Sequence, residues 1–122
     1  MSRLSEELRR RTKRFASTVI RLYVLLPKER EEVRVLGKQL LRSGTSVSAH
    51  AREASRARSD AEFASKLDGL LQEADESHLW LELFRDDCGI RDENLDALLR
   101  EANELMAIFA TMVAKLRKRG NH

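Results

Sequence analysis

Apolar residues recur at steps of three and four along four successive stretches of the chain, and this spacing constrains the fold more than any other feature. The third stretch is the most regular, with Phe63, Leu67, Leu70, Ala74, Ser77, Leu81 and Phe84 alternating steps of four and three. Such spacing places every member on one face of an α-helix. The pattern predicts four helices, at approximately residues 4–26, 30–57, 60–87 and 93–118.

Residues that start or stop helices stand between these stretches. Pro27 is expected to end the first helix, because proline cannot continue the backbone hydrogen-bond ladder. Ser59 and Glu62 have the spacing of a capping box at the start of the third helix. Gly89 is a typical C-terminal stop for the third helix, and Asp92 is a suitable N-cap for the fourth.

The length of 122 residues fits a single domain, residues 1–122, with one hydrophobic core. Only five glycines and one proline occur, which favours long helices with short connections. Short connections make neighbouring helices antiparallel, so we expect an all-α, up-down-up-down four-helix bundle. Gly44 lies inside the second predicted helix, where it costs about 1 kcal/mol relative to alanine. A close helix contact at Gly44 would explain it.

The sequence lacks the features of a secreted or membrane protein. Cys88 is the only cysteine, so neither an intrachain disulfide nor a thiolate metal site is expected. No uninterrupted apolar stretch approaches the roughly 20 residues that span a bilayer. The chain also begins without the apolar core of a signal peptide. We therefore expect a soluble, cytoplasmic protein without a membrane partner.

Charge is distributed unevenly between the two ends of the predicted bundle. In an up-down-up-down bundle, residues 1–14, 49–62 and 111–122 share one end, which we call the basic pole. They contain 13 lysines or arginines and 5 acidic residues. The opposite end, residues 26–34 and 80–96, contains 5 basic and 9 acidic residues. The overall net charge is only +3, so the asymmetry carries more information than the total.

Two dense cationic runs lie within the basic pole, one near each end of the chain. The second is also what a helix C-terminus favours, because its macrodipole attracts cations, whereas the first receives no such help. Phosphate backbone is the obvious polyanion for these charges, and no motif for reading bases is present. The predicted phosphate contacts are Arg9, Arg10, Arg11, Lys13, Arg14, Lys115, Arg117, Lys118 and Arg119.

Several apolar residues lie beside the main stripes, and they leave two interpretations open. Leu99, Met106 and Val113 are spaced seven apart next to the stripe of the fourth helix. They either widen the buried face of the domain or form a second apolar surface that buries against another copy. The second interpretation makes the chain a homo-oligomer. It also supports an alternative function, a protein-interaction scaffold without a direct nucleic-acid role.

No arrangement of residues typical of catalysis is found. A di-iron centre in a bundle needs two Glu-x-x-His units, and the nearest match is a single Asp75-x-x-His78. The pair His50 and Glu53 is interpreted as an i, i+3 surface pair. Cys88 follows two aspartates, which should raise its pKa and leave the thiol unreactive. We therefore expect neither an enzyme nor a bound metal or cofactor.

Two blocks of sequence resemble a known family. The first runs from Gln39 to Val47, with Arg52-Glu53-Ala54-Ser55-Arg56-Ala57-Arg58-Ser59 after it. The second combines Glu62-Phe63-x-x-Lys66-Leu67, Glu73-Ala74-Asp75-Glu76-Ser77 and Trp80-Leu81-Glu82-Leu83. Together they resemble, over roughly residues 12–115, the bacterial four-helix-bundle family first met in intervening sequences of 23S ribosomal RNA genes. His50 departs from this resemblance, because the family often has asparagine there.

The resemblance implies a four-helix-bundle fold and relatives that form ring-like pentamers. A more distant similarity is to the accessory variability protein of diversity-generating retroelements, a basic barrel that binds nucleic acid and a reverse transcriptase. The resemblance therefore implies a homo-oligomer that binds structured RNA or RNA–DNA hybrid, with a reverse transcriptase as a further partner. It supplies no catalytic residue.

Overall fold

A computed structural model describes residues 2–120, and in this range it contains four α-helices and no β-strand. The helices are α1 (Glu6–Leu25), α2 (Glu31–Ser55), α3 (Asp60–Asp86) and α4 (Glu93–Gly120). The prediction of an all-α chain with four helices is confirmed. The predicted bounds differ from the observed ones by at most two residues at each end.

Side chains just before α1, α3 and α4 cap free backbone amides of these helices. Ser59 Oγ accepts a hydrogen bond from the Glu62 amide at 3.1 Å, as predicted for α3. The Glu62 carboxylate does not complete the predicted capping box. It faces Arg58 instead, at 3.5 Å from Nε. At the start of α4, Asp92 Oδ1 accepts from the Asn94 amide at 2.8 Å.

Proline and glycine end two of the helices where the sequence predicts. α1 ends at Leu25, two residues before Pro27. Gly89 follows α3 with a φ of 68°, a left-handed conformation that glycine adopts without steric cost. The Ile90 amide then donates to the Phe84 carbonyl at 3.0 Å, which closes the C-terminus of α3.

The four helices enclose one hydrophobic core. In the part of the chain that is described, each helix packs on its neighbours in sequence and α1 also packs on α4, while the Cα atoms of diagonal helices stay more than 8 Å apart. The largest fully buried side chains are Phe15, Phe84, Phe109, Leu4, Leu22, Leu40, Leu67, Leu70, Leu81, Leu95, Leu98 and Leu105. On α3 the buried residues are the seven members of the predicted stripe, so the spacing identified the buried face of that helix.

Gly44 lies at the closest approach of α1 and α2. A Cβ atom built on it would be 2.7 Å from Val19 Cγ2 and 2.9 Å from Val19 Cγ1. Such distances are shorter than van der Waals contact, so only glycine fits without movement. The close contact predicted for Gly44 is confirmed.

Two of the three residues predicted for an oligomer interface are buried inside the chain itself. Leu99 is 7% exposed and Val113 is 4% exposed, while Met106 is half-buried against the same core. The first interpretation, a wider buried face, therefore describes Leu99 and Val113. Their burial leaves little apolar area for another copy to cover.

The exposed apolar side chains lie on other helices. Val24 and Leu25 near the end of α1 are 67% and 63% exposed, and Ile20, Val35 and Leu79 are about half exposed. None of the four helices, over residues 2–120, is long and apolar enough to cross a membrane.

Candidate nucleic-acid interface

The nine cations predicted to contact phosphate differ in how firmly the protein itself holds them. Eight are exposed, and Arg11 is half-buried. Four of the nine, namely Arg10, Arg11, Arg117 and Arg119, form ion pairs with carboxylates of the same chain. The other five, Arg9, Lys13, Arg14, Lys115 and Lys118, have no ion pair within the described residues.

Arg11 joins α1 to α4. Its guanidinium donates to Glu101 from Nε at 3.0 Å and from Nη2 at 2.7 Å, and Nη2 also reaches Glu104 at 3.2 Å. The hydrogen bond to Arg11 lowers the pKa of Glu101, and the same bond raises the pKa of Arg11. A cation held by two carboxylates is poorly available to a ligand, so Arg11 has a structural role.

The arginines near the end of α4 are also paired. Arg117 pairs with Asp68, and Arg119 lies 3.5 Å from Asp60. Asp60 also accepts from Arg3 at 2.8 Å, and this hydrogen bond lowers the pKa of the Asp60 carboxyl. Asp60 thus connects the beginning and the end of the described chain at one end of the bundle.

A groove between α1 and α2 collects cations that lack such partners. Arg9 and Lys13 lie on its α1 side, and Arg52 and Arg56 lie on its α2 side. These four residues define what we call the cationic groove, which has a volume of about 450 Å³. The one carboxylate that lines it, Glu6, already accepts from Arg10 at 3.0 Å.

The helical repeat explains how the cationic groove forms. Arg9 and Lys13 are four residues apart and lie on one face of α1. Arg52 lies in the last turn of α2, and Arg56 is the residue that follows the helix. Small side chains between the two pairs keep the space open: Thr12, Ser48, Ala51 and Ser55 line the groove. The hydroxyls of Thr12 and Ser55 are satisfied by carbonyls of their own helices.

Four cations around one groove can bind an anion with several charges. Like charges at i, i+4 repel, so this arrangement costs stability in the free protein and an anion relieves that cost. Arginine and lysine neutralise phosphates and release counterions, which gives affinity without base specificity. The groove is therefore suited chemically to successive phosphates of a nucleic-acid backbone.

Arg52 and Arg56 are site residues that the sequence analysis did not single out. They belong to the basic pole but lie outside its two dense cationic runs. The signal that could have identified them is the four-residue spacing, which matches that of Arg9 and Lys13 on the preceding helix.

Glu53 and His78 pair with residues other than those that their sequence spacing suggested. Glu53 pairs with Lys66 at 2.7 Å rather than with His50, so the predicted surface pair is wrong. The His50 ring packs on Gly69, and its Nδ1 is buried without a hydrogen bond. His78 faces Glu82 at 3.2 Å instead of Asp75. Residues 2–120 contain no cluster of three potential metal ligands.

Cys88 is buried, and its pKa is raised as predicted, but the main cause differs. Burial of the thiol raises the pKa most, whereas the charge of Arg30 lowers it and those of Glu32 and Asp87 raise it further. Desolvation disfavours the thiolate more than the neighbouring acidic residues do. The prediction from the two adjacent aspartates therefore gave the right direction and the wrong dominant cause.

Comparisons with known proteins agree with this fold. The model of the 23S rRNA-intervening sequence protein family matches residues 6–111. The crystal structure of a protein with unknown function from the S23 ribosomal protein family of Bacteroides thetaiotaomicron VPI-5482 is similar, with 34% sequence identity and a TM-score of 0.77. The match covers 87% of this chain and 94% of the Bacteroides chain. A search of curated proteins finds no match. The chain belongs to the 23S rRNA-intervening sequence protein family.

Proposed function

We propose that this protein is a non-enzymatic nucleic-acid-binding module, and that the cationic groove is the centre of its binding surface. The observation that supports this most is the meeting of Arg9, Lys13, Arg52 and Arg56 at one groove with no carboxylate partner among the described residues. Cations that only maintain solubility do not need to cluster from two helices. Cations that bind a polyanion do, because several of them must contact it together.

The ligand we propose is structured RNA or RNA–DNA hybrid, bound through its phosphates. Arg10, which pairs with Glu6, also lines the groove, and Arg14 lies on the side of α1 that faces α4. Both extend the contact surface, whereas Arg11 is held by Glu101 and Glu104 and takes no part. Lys115, Lys118 and the paired Arg117 and Arg119 are peripheral contacts at the same pole. With no aromatic side chain lining the groove, binding is led by shape and charge.

The test is a fluorescence-anisotropy titration of labelled structured RNA and duplex DNA at about 50 and 200 mM salt. Four phosphate contacts predict a loss of about 100-fold in affinity over this range. The variant Lys13→Glu/Arg52→Glu should bind much more weakly at the lower salt concentration. The plot of log affinity against log salt concentration should have a shallower slope, by the amount that about two phosphate contacts contribute.

Lys38→Glu is the matched control, because Lys38 is exposed in the N-terminal half of α2 and forms no ion pair within residues 2–120. It should retain nearly wild-type affinity. Equal loss in both variants would indicate a general charge effect and contradict the groove as the site. Wild-type affinity in Lys13→Glu/Arg52→Glu would overturn the proposal.

On the resemblance, we also propose that the chain is cytoplasmic, assembles into a ring-like homo-oligomer, and assists a reverse transcriptase. The antiparallel arrangement of neighbouring helices belongs to the same proposal, and the ion pairs support it: Glu53 pairs with Lys66, whereas the earlier Arg42 pairs with the later Glu73. Native mass spectrometry would show a pentamer as five times the 14.0 kDa mass of the chain. A monomer at micromolar concentration would contradict the ring.

A further inference from the structure

α4 extends further than α1 along their shared interface. Near its start α1 contacts α4 at Glu101 and Glu104 through Arg11. The segment before α1 then turns away: the Arg3 amide donates to the Ser55 carbonyl, and Arg3 Nε donates to the Ala57 carbonyl. Residues at the start of α1 line a cavity that reaches along α4 only to Glu104, and the groove further along α4 has no lining residue from α1.

The face of α4 that α1 covers continues into this uncovered part. From Glu104 the helical steps of four lead to Ile108 and Met112, and both side chains are only half-buried. This face of α4 is thus polar where it contacts α1 and apolar further towards the end of α4.

A groove with an apolar floor results at this end of the bundle. Phe63, Met112 and Leu116 form the floor, and Lys115, Lys118 and Arg119 form the rim of a space of about 550 Å³. We call it the α3–α4 groove. Within the described chain Lys115 and Lys118 have no ion pair, whereas Arg119 faces Asp60.

We propose that the α3–α4 groove docks a short amphipathic segment of a partner protein, with aliphatic side chains on the floor and carboxylates against Lys115 and Lys118. Charge complementarity specifies the acidic residues, since two unpaired lysines border the apolar floor. A helix laid into such a groove would present anchors at i, i+3 or i+4 and i+7.

The floor favours aliphatic side chains over nucleobases. Stacking of a base needs an open aromatic face, but the Arg3 guanidinium lies over the Phe63 ring, 5.7 Å from its centroid, and Phe63 is only 6% exposed. Met112 is the most accessible part of the floor, and its flexible thioether side chain adapts to varied apolar partners. The groove is therefore distinct in chemistry from the cationic groove.

A decisive experiment is selection of peptides from a display library of random 12-residue sequences against the full-length protein. The recovered peptides should combine acidic with aliphatic residues. They should bind Met112→Glu about tenfold or more weakly than wild type. Thr111→Glu is the matched control, because Thr111 is exposed on α4 and does not line the groove, so it should bind the peptides as wild type does.

A second variant keeps the test valid if Met112→Glu folds poorly. Lys115→Glu/Lys118→Glu changes only exposed residues and should weaken the same peptides. With ¹³C-methyl methionine, the peptide should shift the Met112 signal and leave Met106 unchanged. Recovery of no peptide, or of peptides that bind both variants as tightly as wild type, would overturn the docking proposal. Met112→Glu and Thr111→Glu should bind nucleic acid with the same affinity and the same salt dependence. A failure of peptide docking can then be distinguished from a failure of the proposed nucleic-acid binding.

Discussion

Single residues determine how closely the helices of this bundle approach. Val19 is fully buried and contacts the backbone of α2 at Gly44, so a β-branched side chain on α1 meets the one residue type without a Cβ. Valine has one strongly preferred rotamer in a helix and cannot move aside easily. The conformational cost of a mid-helix glycine is thus offset by tight packing between helices.

Gly44→Ala is expected to destabilise the protein by about 1 kcal/mol. Alanine gains about 1 kcal/mol in helix propensity, but overpacking against Val19 costs about 1–3 kcal/mol. Urea denaturation measures the change, and Val19→Ala/Gly44→Ala should show a favourable coupling energy in a double-mutant cycle. A stabilised single variant would show that α1 and α2 can separate at no cost.

Glu101→Gln is expected to destabilise the protein by about 1–3 kcal/mol near pH 7, because it breaks a two-point, partly buried contact with Arg11. The pKa of Glu101 is lowered in the folded protein. Its contribution is therefore complete above the unfolded-state value, near the ordinary 4.5, and disappears as the pH falls through the lower folded value.

Chemical denaturation at several pH values measures this difference between wild type and Glu101→Gln. It should be largest at neutral pH and shrink steadily below about pH 4.5. Glu29→Gln is the control, since Glu29 is exposed and forms no ion pair within residues 2–120. A difference that stays constant with pH would show that the carboxylate charge is not what stabilises the contact.

At the scale of the elements, helix length and helix ends decide what is exposed. α1 has 20 residues and α4 has 28, so α1 cannot cover the whole of α4. The ends are well defined by local chemistry, by Ser5 at α1, Ser59 at α3 and Gly89 after α3. The α3–α4 groove is thus a consequence of where two helices begin and end.

Gly89→Ala is expected to destabilise the protein by about 1 kcal/mol, because a Cβ is disfavoured at the φ of 68°. No neighbouring atom would touch the added Cβ, so the effect is purely one of backbone conformation. Gly89→Asn should lose less, since asparagine tolerates the left-handed region. Thermal unfolding of both variants measures this, and equal loss would point to a cause other than φ.

At the scale of the whole molecule, the uneven charge sets the balance between stability and binding. Cations from α1 and α2 meet at the cationic groove, and those near the end of α4 border the α3–α4 groove. Both grooves lie in the basic pole. One has small residues between its cations, and the other has an apolar floor, so the two surfaces suit different ligands.

Lys13→Gln/Arg52→Gln is expected to raise the melting temperature by about 2 °C at low ionic strength, because it relieves repulsion across the cationic groove. The gain should disappear at about 1 M salt, where the Debye length is about 3 Å. Lys38→Gln should change little at either ionic strength. Differential scanning calorimetry measures the shift, and a lower melting temperature would show that these cations are stabilised by the protein.

The sequence by itself determined the four helices, their approximate ends and most of the core, because each depends on local information. Steps of three and four define a helix face, and Pro27, Ser59 and Gly89 act on their own backbone. It also indicated the basic pole and the close contact at Gly44. These features need no knowledge of which side chains meet across the bundle.

Only the tertiary structure decided which charges are free and which apolar residues are covered. Arg11 is engaged because Glu101, distant in sequence, lies opposite it, whereas Arg52 forms no ion pair with a carboxylate of residues 2–120. Leu99 and Val113 are buried because neighbouring helices cover them. Pairing and coverage depend on long-range contacts, and the spacing of residues along one helix does not contain that information.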